Sequence, residues 1–248
     1  MQPRHVRIVA ALSALAWLTF PGFGYLDLIG AWDYGSVLEA SWGIFFSVIV
    51  AVPFIWVAVR PVLAAPAIAQ LWVALAALVV AAVVSLEAPV LLHIVLLGFG
   101  VALVSLTEEA ERWMPRDLAP NWPVLAVAAA GAVPWLVHAY EMADLNRQEL
   151  PDQSLTGAVD HYSVQAAFAL GVLALATLAG VWSRGRRLLA TCAGISAAYV
   201  GVVAWAFPDA EGGMATGWAA AMTAWGLVLT VCAWLPRREL ARPRGRLG

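Results

Sequence analysis

The sequence predicts an all-α fold, a polytopic transmembrane helical bundle, and three observations predict it. Hydrophobic residues make up 62% of the chain and charged residues only 12%, where a soluble domain carries about 25% charge. The apolar residues gather into eight runs of roughly 15 to 24 residues, against the ~20 needed to cross about 30 Å of hydrocarbon. The 14 basic residues, every one an arginine, fall almost wholly between alternate runs. One transmembrane domain over 1–248 accounts for the whole length, with no space for a soluble domain beside it.

The runs occupy 8–22, 37–59, 62–85, 88–106, 122–140, 161–182, 188–207 and 214–235. The first follows MQPRHVR, so it also has the basic start, apolar middle and small-residue site of a signal peptide, with cleavage near Ala16 as the alternative to a first span. The second and third are separated only by Arg60 and Pro61. Trp32, Trp113, Trp122, Trp182 and Trp234 stand at run ends, where an amphipathic ring favours the headgroup region. Cys192 and Cys232 fall inside runs and read as small packing residues, too few for a disulfide framework or a thiolate zinc site. The absence of lysine excludes a Schiff-base chromophore.

If the runs alternate in direction, 13 of the 14 arginines share one side and Arg147 alone takes the other. The positive-inside rule then puts both termini in the cytoplasm and the chain in the cytoplasmic (inner) membrane. Eleven of the 16 acids fall on the opposite, outer side, a field that draws cations and repels anions. The lipid bilayer is the expected partner, and nothing in the chain suits nucleic acid.

The order of elements recurs: residues 8–106 and 122–235 each read span, long outer loop, span, arginine turn, span, short acidic loop, span. WLTF at Trp17 pairs with WLVH at Trp135, DYGSVLEA at Asp33 with DHYSVQAA at Asp160, and FGVAL at Phe99 with WGLVL at Trp225. Two like-oriented four-helix repeats, related by an axis along the membrane normal, are therefore expected, with a site between them.

The candidate site comes from the stretch Trp135 to Gln165, where ionisable residues crowd between two apolar runs. His138 and Glu141 are three apart and His161 and Gln165 four apart, so each pair shares a helical face. With Asp144, Asp160, Glu87 and Glu39 they form the expected ligand-binding set. His93 lies six residues past Glu87, about 9 Å deeper, where an ionisable group is expensive unless it faces protein or water. Imidazole with carboxylate suits zinc, iron or copper, so His93, His138 and His161 are the candidate metal ligands and a divalent metal the candidate cofactor. No HExxH, GxSxG or SxxK motif is present, and the catalytic residues, if any, are not specified.

Three resemblances bear on function. EEAER at Glu108 resembles the EExxxR of CAAX-type intramembrane proteases, but the arginine is one residue too close and the FxxxH and HxxxN partners are missing, so it reads as a short interfacial helix with Arg112 and Trp113. Eight spans in two like-oriented halves are similar to haem A synthase. That implies haem at His93 and His161 as an alternative cofactor, although the second and eighth spans lack histidine and paired loop cysteines are absent. HAYEMADLN, DHYSVQAAFAL and PDAEGG resemble uncharacterised polytopic membrane proteins of high-GC bacteria, a likeness that implies no activity. The leading expectation is binding or transport of a cation or small polar solute at an outward-facing site. A membrane enzyme with a metal or haem centre and a non-catalytic subunit or scaffold are the alternatives. Polar residues are sparse in the inner halves of the spans, which disfavours a through-membrane path.

Overall fold

A computed structural model describes residues 3–106, 118–148 and 161–235. Asp160, the EEAER segment and the C-terminal arginines lie outside the described residues. The described residues form ten α-helices: α1 Pro3–Leu18, α2 Gly24–Asp33, α3 Val37–Ile44, α4 Val52–Val59, α5 Ala65–Ser85, α6 Val90–Ser105, α7 Trp122–Arg147, α8 His161–Val181, α9 Arg186–Ala206 and α10 Thr216–Trp234. A π-helical segment, Phe45–Ala51, joins α3 to α4, so Val37–Val59 runs as one helix of 23 residues. No β-strand occurs among the described residues.

Among the described residues, six helices are long and apolar enough to cross a membrane: Val37–Val59, α5, α7, α8, α9 and α10. The other two expected spans form helices of 16 residues, α1 and α6, which reach only ~24 Å at about 1.5 Å per residue. The first expected run also shifts. Helix α1 begins at Pro3 and stops at Leu18, because Pro21 and Gly22 follow and proline cannot continue a helix. In the other direction, the run expected to end at residue 140 continues to Arg147. The residues EMADLNR mix polar and apolar side chains and contain no breaker, and Arg147 closes back on Asp144 at 2.7 Å.

Each half of the chain packs as a ring of neighbours. Helix α1 lies against α4 and α6, and α5 against α4 and α6; α7 lies against α8 and α10, and α9 against α8 and α10. The halves meet where α8 packs on α5 and α3, and α9 on α3. The core between them is rich in alanine and glycine, which lets backbones approach as membrane helices do. Helix α8 is buried on nearly every side over its first three turns. Outward-facing side chains such as Leu92, Val95, Phe99, Val133 and Val231 are large and apolar, which suits lipid rather than water as the surrounding solvent. Trp32, Trp122 and Trp234 are exposed at helix ends as an aromatic belt requires, whereas Trp182 is buried against Gly185 and packs instead.

The π-segment has a local cause. Pro53 carries no N–H, so the Ile49 carbonyl one turn earlier has no donor in its own helix. Gln70 of α5, fully buried, donates Nε2 to the carbonyls of Ile49 (3.1 Å) and Val48 (3.3 Å). Gln70→Leu leaves those carbonyls unsatisfied in an apolar interior and is expected to cost about 1–3 kcal/mol, read as a lower thermal midpoint of the purified protein.

Candidate metal centre

Helix α2 is too short to span; it packs on α3, with Asp27 near the start of α8. Its spacing explains its orientation. Gly24, Asp27, Gly30 and Ala31 form a small-residue face that is buried, while Tyr25, Leu26, Ile29 and Trp32 are exposed on the other side. The absence of a side chain at Gly43 lets α2 sit on α3, since a Cβ there would run into the backbone of Asp27 and Leu28. Tyr199 of α9 fixes the same turn, donating its hydroxyl to the Leu28 carbonyl at 2.8 Å. Asp27 is thereby pressed into the protein.

Two further side chains meet it there. Ser36 caps α3 by accepting the Glu39 N–H at 3.2 Å, which sets Glu39 in the first turn facing inward. His161 opens α8, and its Nε2 lies 3.8 Å from Glu39 Oε2. Asp27, Glu39 and His161 each offer one ligand atom, and these atoms all lie within 4.8 Å of one another. The three residues are at most 2% exposed. Asp27 Oδ2 is buried with no hydrogen-bond partner. Burial first, then the adjacent Glu39 carboxylate, holds the Asp27 carboxyl well above the usual carboxylate range. Two carboxylates this close share a proton or neutralise a cation. Trp42 roofs the group, its ring 4.4 Å from that of His161, and is itself anchored by donating Nε1 to the Gly22 carbonyl at 2.8 Å.

Of the residues expected at the site, the structure brings Glu39 and His161 together and adds Asp27. His93 comes close without joining: it is boxed by Trp17, Trp42 and Phe46, with centroids 6.2, 5.2 and 5.6 Å away. Gln165, one turn below His161, is fully buried and donates Nε2 to the Gly212 carbonyl at 2.9 Å, with His138 Nε2 at 3.4 Å. His138 is therefore held beside Gln165 rather than among the carboxylates. Glu141 is exposed one turn further along α7.

Glu87 and Asp144 belong elsewhere, which corrects the single cluster the sequence suggested. Glu87 Oε2 accepts from Asn146 at 3.1 Å, Asn146 also reaches the Ser85 carbonyl, and Arg147 donates to the Val84 carbonyl at 2.7 Å while pairing with Asp144. The seven unforeseen residues of α7 carry this clamp, which covers the end carbonyls of α5 and so consumes the polar groups that looked available. Asp160 lies outside the described residues.

The sequence does not single out Asp27, one of eleven acids on the outer side. A signal for it exists. It occupies the glycine and alanine face of a ten-residue amphipathic pattern, where an acid is out of place unless it faces a partner.

No known protein family, curated protein or solved structure matches the chain. The chemistry of the donor set is what remains. Two carboxylate oxygens and one imidazole nitrogen form a hard to borderline ligand set for a divalent cation such as Zn²⁺, Mn²⁺ or Fe²⁺, with coordination positions left for water or substrate.

Proposed function

We propose that this chain is a multi-pass protein of the cytoplasmic membrane that binds a divalent cation at Asp27, Glu39 and His161, on the side away from the cytoplasm. The observation that carries the reading is the convergence of two buried carboxylates and an imidazole from three helices, within reach of a single ion. Such groups are costly in an apolar interior and are normally retained where they bind or react. The cation neutralises the carboxylate pair, and the Trp42 roof keeps the centre from bulk water. The sparse polar lining of the opposite half of the bundle favours a one-sided site over a transport path. Titration of metal-stripped protein with Zn²⁺, Mn²⁺ and Fe²⁺, followed by calorimetry, tests this. Binding of about one ion per chain is expected, and no binding by any of the three refutes it.

The proposal includes eight crossings, both termini in the cytoplasm and two like-oriented halves. The 13 to 1 arginine split supports the topology, and the matching rings of neighbours support the duplication. The short helices α1 and α6 then cross by drawing the bilayer thinner around them. Reporter fusions after Arg60, Leu150 and Arg238 are expected to read inside, outside and inside; an outside signal at the last overturns the orientation.

A further inference from the structure

A second recess lies between α7 and α10, away from the carboxylate centre. It has a volume of about 480 Å³, inside the range of small-molecule sites. Trp135, Trp218, Met222 and Trp225 make most of its wall, and His138 and Glu141 supply its polar groups. Trp135 and Trp225 brace each other edge to face at 5.5 Å, and Trp225 is fixed by donating Nε1 to the Val127 carbonyl at 2.7 Å. His138 is fixed by Gln165. The wall is thus held in place by α8 and by the helix backbones.

Glu141 stands out at this site. Among the described residues lining the recess it and His138 are the ionisable side chains, and it has neither hydrogen bond nor ion pair with another described residue. Asp144 takes Arg147, the nearest cation on its own helix. The 26 residues of α7 measure ~39 Å, so about 4 to 5 Å project beyond about 30 Å of hydrocarbon at each end. Glu141, six residues and ~9 Å from the Arg147 end, therefore lies at or just below the hydrocarbon edge. A carboxylate facing an apolar recess at that depth is expensive alone and is relieved by a positive charge. No arginine is among the described residues that line the recess, so an anionic headgroup would meet only repulsion from them. Indole walls favour cations further.

We infer that the recess binds a cationic amphiphile dissolved in the membrane, its positive group at Glu141 and its apolar body against Trp135, Trp218, Met222 and Trp225. Two sources share that chemistry, a free lipophilic cation and the ammonium headgroup of an amine-bearing phospholipid.

Equilibrium binding of radiolabelled tetraphenylphosphonium to the full chain in phosphatidylglycerol nanodiscs tests the inference, with tetraphenylborate as the anion of the same shape. Wild type is expected to show one saturable site for the cation and none for the anion. Glu141→Gln is expected to weaken cation binding about tenfold or more, and Trp218→Ala to weaken it severalfold. Both side chains are exposed, so the thermal midpoint should hold. Asp27→Asn, at the other centre, should leave this binding unchanged, which separates failure here from failure of the metal reading. Equal affinity in Glu141→Gln, or saturable binding of the anion, overturns the inference. If phosphatidylethanolamine added to the discs competes with the probe, the phospholipid headgroup is the occupant; if it does not, a free lipophilic cation is.

Discussion

Glu39→Gln is expected to abolish zinc binding while leaving the metal-free protein as stable as wild type or more so. The substitution keeps the size of the side chain and removes one of the two carboxylates, Asp27 and Glu39, that crowd each other. A structural carboxylate would behave in the opposite way, because removing one partner of a satisfied buried pair is strongly destabilising. The metal supplies the discriminating readout. At a zinc concentration about 100 times Kd, binding to the native state alone adds about 2.7 kcal/mol. For a protein of this length that raises the thermal midpoint by about 5 to 10 °C. The shift is expected in wild type and lost in Glu39→Gln, Asp27→Asn and His161→Ala, with affinity reduced at least about 100-fold, beyond the 10- to 100-fold typical of residues that only orient a ligand. His93→Ala should change affinity far less, since that ring is held by Trp17, Trp42 and Phe46 outside the ligand group. A zinc-dependent midpoint shift that survives Glu39→Gln would end the assignment.

The largest effect on folding is expected at the crossing of α9 and α10. A Cβ at Gly226 would meet the Gly194 carbonyl oxygen and the Ala198 nitrogen, and one at Gly194 would meet the Gly226 carbonyl and Thr230. At Gly226 both obstacles are backbone, so no rotamer change can make space and the helices themselves must part. Close approach of small residues is the main attraction between membrane helices, where lipid is as apolar as a leucine. Gly226→Leu is therefore expected to cost about 3 kcal/mol or more, at the upper end of overpacking substitutions, and to lower the midpoint by about 6 to 12 °C. The consequence reaches the metal centre, because α9 carries the Tyr199 that holds α2 and thus Asp27. Zinc affinity should fall together with stability. Gly217, near the start of α10, has open space around it, and Gly217→Ala should leave the midpoint unchanged or slightly higher. Equal tolerance of Gly226→Leu and Gly217→Ala in a melting curve would contradict this packing.

The membrane bundle itself was legible in the chain. Long apolar runs can satisfy their backbone groups in lipid only as helices, so composition and run length determine the class of structure with little help from tertiary contacts. Glu39 and His161 could each be singled out for a related reason, since ionisable groups bordering apolar runs must find partners, but nothing in the chain paired them with each other. Which partners they find depends on distances between segments far apart in sequence, and only the tertiary structure decided those. It withdrew Glu87 and Asp144 into the clamp between α7 and α5. It turned Asp27 inward through a helix of ten residues whose small face fits against Gly43. It also set His138 beside Gln165 but His161 beside the distant Glu39, although His138, His161 and Gln165 all belong to one stretch of sequence. Apolar periodicity reports whether a residue faces lipid or protein, and a buried acid on a glycine face has too little apolar contrast around it to register. The approach of α2 to α3 and of α8 to α5 supplies the missing distances, and it is set by steric fit between small residues, which a linear pattern does not encode.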